Sequence, residues 1–445
     1  MKNPEPALEA GLARRFWRLT ILNVLANVSV PLVSLVDAAM LGHLEDLRFL
    51  GGAAIAAVLF DYVFWSLNFL RMSTTGLTAQ ARGRGDHRQS ALVLYRSLAL
   101  SAAFGLLLLA LSPLLRLGGF ALLQVSQELY SPATDYFVAR IWSAPLVLAN
   151  FSLLGWFLGR EESGRALTLT LVTNLANVAL NAVFILGLGW AAFGAGLASS
   201  LAQVVMFGVG LFLLRQSGPL PPWRQAEVLN WSRLRKLLQL NGDIFLRTLC
   251  LTSALAAFTA FSARLGTEVL VANTLLLRLF LLAAYFIDGA AYAVETLAGL
   301  FHGARNGFQL RRVFGWGLAF GEGVALLFAS LLLIFPHTVL GWLTDHQPVV
   351  ELAADLAPWM LPVLVFGAAA FLLDGLFLGL TAGHVLRNAT VGATLLGFAP
   401  FAVFAISQDS NTLLWAGMSF WMFARAISLA IPARGALRLQ SVPNL

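Results

Sequence analysis

Twelve long apolar runs dominate this chain, near residues 16–41, 50–80, 91–115, 130–158, 166–187 and 192–215, and again near 240–264, 269–300, 313–335, 350–379, 388–407 and 412–433. A helix needs about 20 predominantly apolar residues to cross the hydrocarbon core of a bilayer, so each run is long enough for one crossing. The expected fold class is therefore an all-α integral membrane protein of twelve transmembrane helices. Composition excludes a soluble alternative: 59% of the 445 residues are hydrophobic and 11% are charged, against roughly 25% charged in an ordinary soluble domain.

The few charges are unevenly placed. The N-terminal segment and alternate connections collect Lys and Arg, among them Arg14, Arg15, Arg82, Arg84, Arg88, Arg160, Arg165, Arg305 and Arg311, whereas the opposite connections offer Arg48, Arg116 and Arg264. Cytoplasmic loops retain positive charge. Both termini are expected in the cytoplasm of a bacterial cell, with the chain a multi-pass protein of the cytoplasmic (inner) membrane. This distribution also accounts for the net charge of +7 without a nucleic-acid partner. The first apolar run is longer than a signal-peptide core and contains Asn23, Asn27 and Asp37, so it is read as a retained span. A polar stretch over 216–236 holds Pro219, Pro221 and Pro222 and a run of basic residues. It suggests an N-terminal six-helix lobe (1–217), a cytoplasmic linker (218–239) and a C-terminal six-helix lobe (240–445).

Sliding the second half back by 220 residues brings Phe377-Leu378-Gly379 onto Phe157-Leu158-Gly159 and Gly303 onto Gly83, while Trp359-x-x-Pro362 meets Trp142-x-x-Pro145 three residues out of register. Such matches are what a duplicated transporter leaves, and an even number of helices per half makes the repeats parallel, with substrate expected between them.

Polar residues inside the apolar runs mark the candidate site. At about 100° per residue, Asn23, Asn27, Ser34 and Asp37 share a stripe of span 1 about 80° wide, and Asn174, Asn177 and Asn181 share one of span 5 about 60° wide. A carboxylate near a helix centre costs several kcal/mol unless solvated, paired or neutralised, which makes Asp37 the candidate proton carrier. Carboxamides donate and accept, so Asn174, Asn177, Asn181, Asn27 and Ser34 are candidates for hydrogen bonding to the proton or substrate. Pro31, six residues before Asp37, weakens the helix and is the candidate hinge. Asp288, Glu295 and Asp374 are candidates for secondary coupling. Asp243 and Arg247, one turn apart in span 7, are expected to neutralise each other.

Other chemistries are discounted. The six His residues fall at span ends or in connections without the i, i+4 spacing of a helical zinc site, so no metal site is expected. The single Cys250 forms no intrachain disulfide. No G-x-x-x-x-G-K-[ST] motif occurs, and Arg82-Gly83-Arg84-Gly85-Asp86 reads as a tight basic turn because no βαβ unit surrounds it. No catalytic cluster is visible, so the chain is not expected to be an enzyme, and no cofactor is implied.

At LVDAAMLGHL (35–44) and FLRMSTTGLTAQARGRGD (69–86) the chain resembles the multidrug and toxic compound extrusion (MATE) family, and the second segment with IDGAAYAVETLAGLFHGARNG (287–307) resembles its DNA-damage-inducible F (DinF) branch. The resemblance implies two pseudo-symmetric six-helix bundles in a V, and secondary-active export driven by an inward ion gradient. It implies that amphipathic, mainly cationic compounds leave in exchange for protons, by a monomer, with Asp37 protonation bending span 1 to release substrate. The family's span 5 Asn falls on Asn177. Related proteins often have an Asp four residues later, where this chain has Asn181. Sodium-coupled relatives use acids in spans 7 and 10. Asp374 resembles the latter, while span 7 offers Arg247 instead of Glu. These departures favour protons; sodium coupling, or flipping of a lipid-linked precursor as in the wider superfamily, are the alternatives.

Overall fold

In a computed structural model the described residues are 6–42, 44, 46–218 and 220–439, and among them there are helices and no strand. Packing divides the chain into two units: Leu25–Leu238, and Met1–Val24 together with Gln239–Leu445.

The first unit contains most of α1 (Pro6–Gly42), then α2 (Leu47–Ser66), α3 (Phe69–Gly83), α4 (His87–Ala110), α5 (Ser112–Leu122), α6 (Gln127–Ile141), α7 (Ala144–Gly159), α8 (Ser163–Asn181), α9 (Ala191–Gln216) and the short α10 (Gln225–Val228). A six-residue π-helical turn, Ala182–Gly187, extends α8. The second unit holds α11 (Trp231–Arg264), α12 (Thr267–Gly303), α13 (Gly307–Ile334), α14 (Pro336–Gly341), α15 (Gln347–Leu356), α16 (Met360–Gly379), α17 (Gly383–Gly392), α18 (Ala399–Ser407) and α19 (Asn411–Leu439). Here too a π-helical turn, Ala393–Phe398, interrupts the fifth crossing. Among the described residues ten stretches are long and apolar enough to span a membrane, and the pair α6 and α7, bent by 53°, forms an eleventh. With α1, which carries the 16–41 run, these are the twelve expected crossings.

The repeat register of 220 residues is written into the packing. Backbones of α3 and α7 approach so closely that a Cβ on Gly155 would lie 2.4 Å from the Arg71 carbonyl oxygen, and one on Gly159 would lie 2.5 Å from that of Thr75. In the second unit the same crossing joins α12 and α16: a Cβ on Gly375 would meet the Ala291 oxygen at 2.5 Å and one on Gly379 the Glu295 oxygen at 2.4 Å. Helices in lipid gain little from apolar burial against each other, so small residues spaced four apart let dispersion contacts accumulate. Turns repeat as well. Asp86 caps α4 by accepting from the Gln89 amide at 2.8 Å, and Asn306 caps α13 by accepting from the Gln309 amide at 3.1 Å. The residue before each cap is left-handed, Gly85 in the first unit and Arg305 in the second. The Trp142 and Trp359 motifs, offset by three residues, sit at the two breaks in the fourth crossings.

The polar connection is strapped down. Glu227 of α10 pairs with Arg88 at 2.5 Å, buried Arg96 of α4 donates to the Glu227 carbonyl at 2.8 Å, and the Tyr95 hydroxyl donates to the Pro221 carbonyl at 2.8 Å. It packs with the first unit, which runs to Leu238. The start of α1 packs in the second unit instead: Phe16 and Trp17 meet Trp316 and Phe320 of α13, and the Asn23 amide donates to the Gly289 carbonyl at 3.4 Å. Buried amides also tie the second unit. The Asn273 amide donates to Ser262 at 2.7 Å and to Asn411 at 2.8 Å, and its oxygen accepts from Asn411 and from the Trp415 indole.

Two stability outcomes follow. Gly159→Val and Gly379→Val are each expected to cost about 1–3 kcal/mol through forced separation of the helices, read as a lowered melting temperature in detergent, while Gly164→Ala, which would meet nothing within 4 Å, should not lower it. Asn273→Leu is expected to cost about 1–3 kcal/mol because it strands the Trp415 and Asn411 donors, measured on the same scale.

Candidate functional site

Asp37 lies near the end of α1, half-buried in the first unit, and faces α8. The Asn181 amide nitrogen donates to Asp37 Oδ1 at 2.5 Å. Asn177, one turn earlier on the same face of α8, points its amide nitrogen at the carboxylate, 2.9 Å from Oδ1 and 3.3 Å from Oδ2, while its oxygen accepts from Ser199 Oγ of α9 at 3.3 Å. Asn177 and Asn181 are buried, Asn181 completely. Two amide donors on one carboxylate suit its ionised form, since hydrogen bonds to a charged acceptor are the stronger kind. Turned about, the Asn177 oxygen accepts from Asn181 at 3.1 Å and faces the carboxyl group. That orientation suits a protonated Asp37, whose O–H can donate. Each orientation of the Asn177 amide thus suits one protonation state of Asp37, the first while setting its nitrogen 3.1 Å from that of Asn181.

The other candidates of this group are more spread out. Asn174 donates to Ser29 Oγ of α1 at 2.9 Å, and Ser29 passes its own proton to the Ala26 carbonyl at 2.8 Å. Asn27 is half-buried on α1. The Ser34 side chain lies outside the described residues. Pro31 sits inside α1, where it removes the intrahelical donor that would otherwise reach the Asn27 carbonyl. The polar stripe of span 1 is consequently divided: Asn23 bonds within the second unit, and Asp37 within the first.

A charge that the sequence reading passed over stands beside this group. Arg140, at the end of α6 where the fourth crossing bends, is within electrostatic reach of both Asp37 and Asp61. Its guanidinium hydrogen-bonds the Tyr136 hydroxyl and lies 5.2 Å from the Phe60 ring centroid, 5.5 Å from Tyr136 and 5.9 Å from Phe64. Aromatic faces attract a cation, so the rings hold Arg140 near the carboxylates without an ion pair.

In the second unit the expected pairing of Asp243 with Arg247 is replaced. Asp243 accepts instead from Arg387 at 2.6 Å, and Arg247 pairs with Asp374 of α16. Arg425 of α19 donates to the same Asp374 Oδ2 at 2.8 Å. All three residues of this triad are buried, and the Arg425 guanidinium also packs over Phe371 and Trp421, 5.5 Å from each ring. The physical reason is depth: Arg247 is buried, where a guanidinium must find a carboxylate or remain uncompensated, while Asp243 can reach the partly exposed Arg387. Asp288, half-buried on α12, lies within electrostatic reach of Arg425, and Glu295, two turns on, is fully buried.

Arg140, Arg425 and Glu322, the last near the middle of α13, are intramembrane charges that the polar stripes of the sequence did not single out. Their signal was available, because each is a charge inside an apolar run, and Arg425 and Glu322 are the single charges of theirs. Arg140 shares its run with Asp135, and Glu322 stands between two glycines.

Comparison with known proteins places the chain in a family. The MatE family model matches residues 23–183 and 244–403, one stretch in each half of the repeat. The chain is 35% identical over 429 residues to DNA damage-inducible protein F of Escherichia coli K12, covering 94% of this chain and 91% of that protein. It is 28% identical over 444 residues to a probable multidrug resistance protein NorM of Synechococcus, covering 96% and 93%. A crystal structure of MATE in the straight conformation superposes with a TM-score of 0.85 at 19% identity, over 96% of this chain and 97% of that one. By family match and by whole-length similarity, this chain belongs to the MATE family of multidrug and toxic compound transporters, and is not an enzyme.

Proposed function

We propose that the protein is a proton-coupled antiporter that exports amphipathic, mainly cationic compounds across a bacterial cytoplasmic membrane, and that Asp37 carries the coupling proton. The observation that supports this most is the Asp37 carboxylate with the amides of Asn177 and Asn181 gathered on it. An intramembrane carboxylate held by neutral donors, rather than by a guanidinium in an ion pair, keeps its capacity to accept a proton. The ionised form attracts a cationic substrate. Proton uptake from outside removes that charge, and substrate loses its counter-ion and leaves.

The same step reorganises the site. Protonation turns one acceptor oxygen into a donor, so the Asn177 amide has to rotate, exchanging its contact with Ser199 Oγ. Pro31, six residues before Asp37 in α1, supplies a weak point at which the helix can respond. Arg140, held in its aromatic cradle, stands within electrostatic reach of Asp37. Placement of both termini in the cytoplasm follows from the Lys and Arg distribution, and the protein acts as a monomer in this reading.

One observation supports sodium as the second reading. Asn181 Oδ1 is buried with no hydrogen-bond partner. A carboxylate with amide oxygens is a ligand set for a hard cation.

In proteoliposomes with proton and sodium gradients imposed separately, export of a cationic dye is expected to follow the proton gradient alone. Asp37→Asn should lower it by about tenfold or more, equivalent to about 1.4 kcal/mol of lost coupling. Export by Asp37→Asn equal to wild type would end the proton-carrier role, and export driven by sodium alone would replace the coupling ion. Asn177→Ala and Asn181→Ala are each expected to reduce proton-driven export by about fivefold, the equivalent of about 1 kcal/mol for a lost hydrogen bond, with melting temperatures reported alongside.

A further inference from the structure

Glu322 has no part in the reading above. It lies on α13 (Gly307–Ile334), about 22 Å along the helix from its start and about 18 Å from its end at 1.5 Å per residue. That is close to the middle of a crossing. The face of α13 carrying Gly317 and Gly321 is packed on Val294 of α12 and Leu372 of α16. Glu322 stands on a different stripe: Gly315, Ala319, Glu322 and Leu326 fall within about 60° of each other on the helix, and apart from half-buried Glu322 all are exposed. A Cβ placed on Gly315 or Gly323 would meet nothing within 4 Å, so there is open space on this side.

Among the described residues Glu322 forms no hydrogen bond and no ion pair, and no neighbouring charge acts on it. The helices packed on α13 carry Arg278, Asp288 and Glu295 on α12, Asp374 on α16 and Arg425 on α19. Arg14, Arg15 and Arg18 lie on the start of α1. None of these groups engages Glu322. Asp374, by contrast, has both Arg247 and Arg425 on a single oxygen. The counter-charge of Asp374 is thus supplied by the protein itself. A lone carboxyl at mid-membrane has no resident cation, and a proton is the species that can neutralise it there.

We propose that Glu322 is a proton-binding site of the second unit, a carboxyl that takes up and releases a proton at mid-membrane, while Asp374 is withdrawn from exchange by its two guanidiniums. The Glu322 proton adds to the one carried by Asp37 in each transport cycle. Only this last statement rests on the proton-coupled reading given above.

Dicyclohexylcarbodiimide tests it on the wild-type protein in proteoliposomes. This apolar reagent reacts with a protonated carboxyl in lipid: the acid proton passes to a carbodiimide nitrogen, the carboxyl oxygen bonds to the central carbon, and rearrangement leaves a stable N-acylurea. Peptide mass spectrometry is expected to find the adduct on Glu322, severalfold more at about pH 6 than at about pH 8 because the acid form is the reactive one, and none on Asp374. No adduct on Glu322, or equal labelling at both pH values, overturns the site. Labelling of Glu322 should persist in Asp37→Asn, which separates this result from failure of the Asp37 mechanism. Glu322→Gln is expected to lower the ratio of protons imported to substrate exported by about one; an unchanged ratio removes Glu322 from the cycle.

Discussion

A bilayer core cannot solvate charge, and every intramembrane ion of this transporter is placed by that constraint. The protein meets it in different ways for similar carboxylates. Asp374 receives guanidiniums from α11 and α19 on one oxygen. Asp37 receives neutral amides instead, which stabilise its charge without cancelling it. Similar acids in apolar spans thus meet the same constraint with different partners.

The two halves share a scaffold and diverge in what they carry. At a register of 220 residues the glycine crossings, the left-handed turn residues and the helix caps coincide. These features are set by backbone approach and turn geometry, where few residues are tolerated. Side chains within the same frame are free to differ. Arg71 and Thr75 on α3 correspond to Ala291 and Glu295 on α12, and the asparagine ladder of α8 has no match in α17. Duplication thus supplied two frames, and the polar chemistry was built separately in each.

Much of the site was legible in the sequence because helical periodicity alone brings Asn177 and Asn181 to one face. The contact with Asp37 was less so, since it joins residues 144 positions apart. Family resemblance pointed to Asp37 and Asn177, and in the structure Asn181 donates to Asp37. The arrangement of span 1 was not legible. Its polar stripe looks continuous, yet Asn23 and Asp37 bond in different units, because a helix this long packs against different neighbours along its length.

The sequence by itself determined the number of crossings, the repeat register and the family, since a bilayer imposes length and apolarity on each segment and close helix crossings demand glycine. Only the tertiary structure decided which charges are partners. Asp243 and Arg247 are neighbours by helical spacing, but Arg247 pairs with Asp374 and Asp243 with Arg387. Spacing along one helix brings groups within reach. Depth and the side chains contributed by other helices decide which pair lowers the free energy most, because a buried guanidinium loses far more than an interfacial one when it stays unpaired.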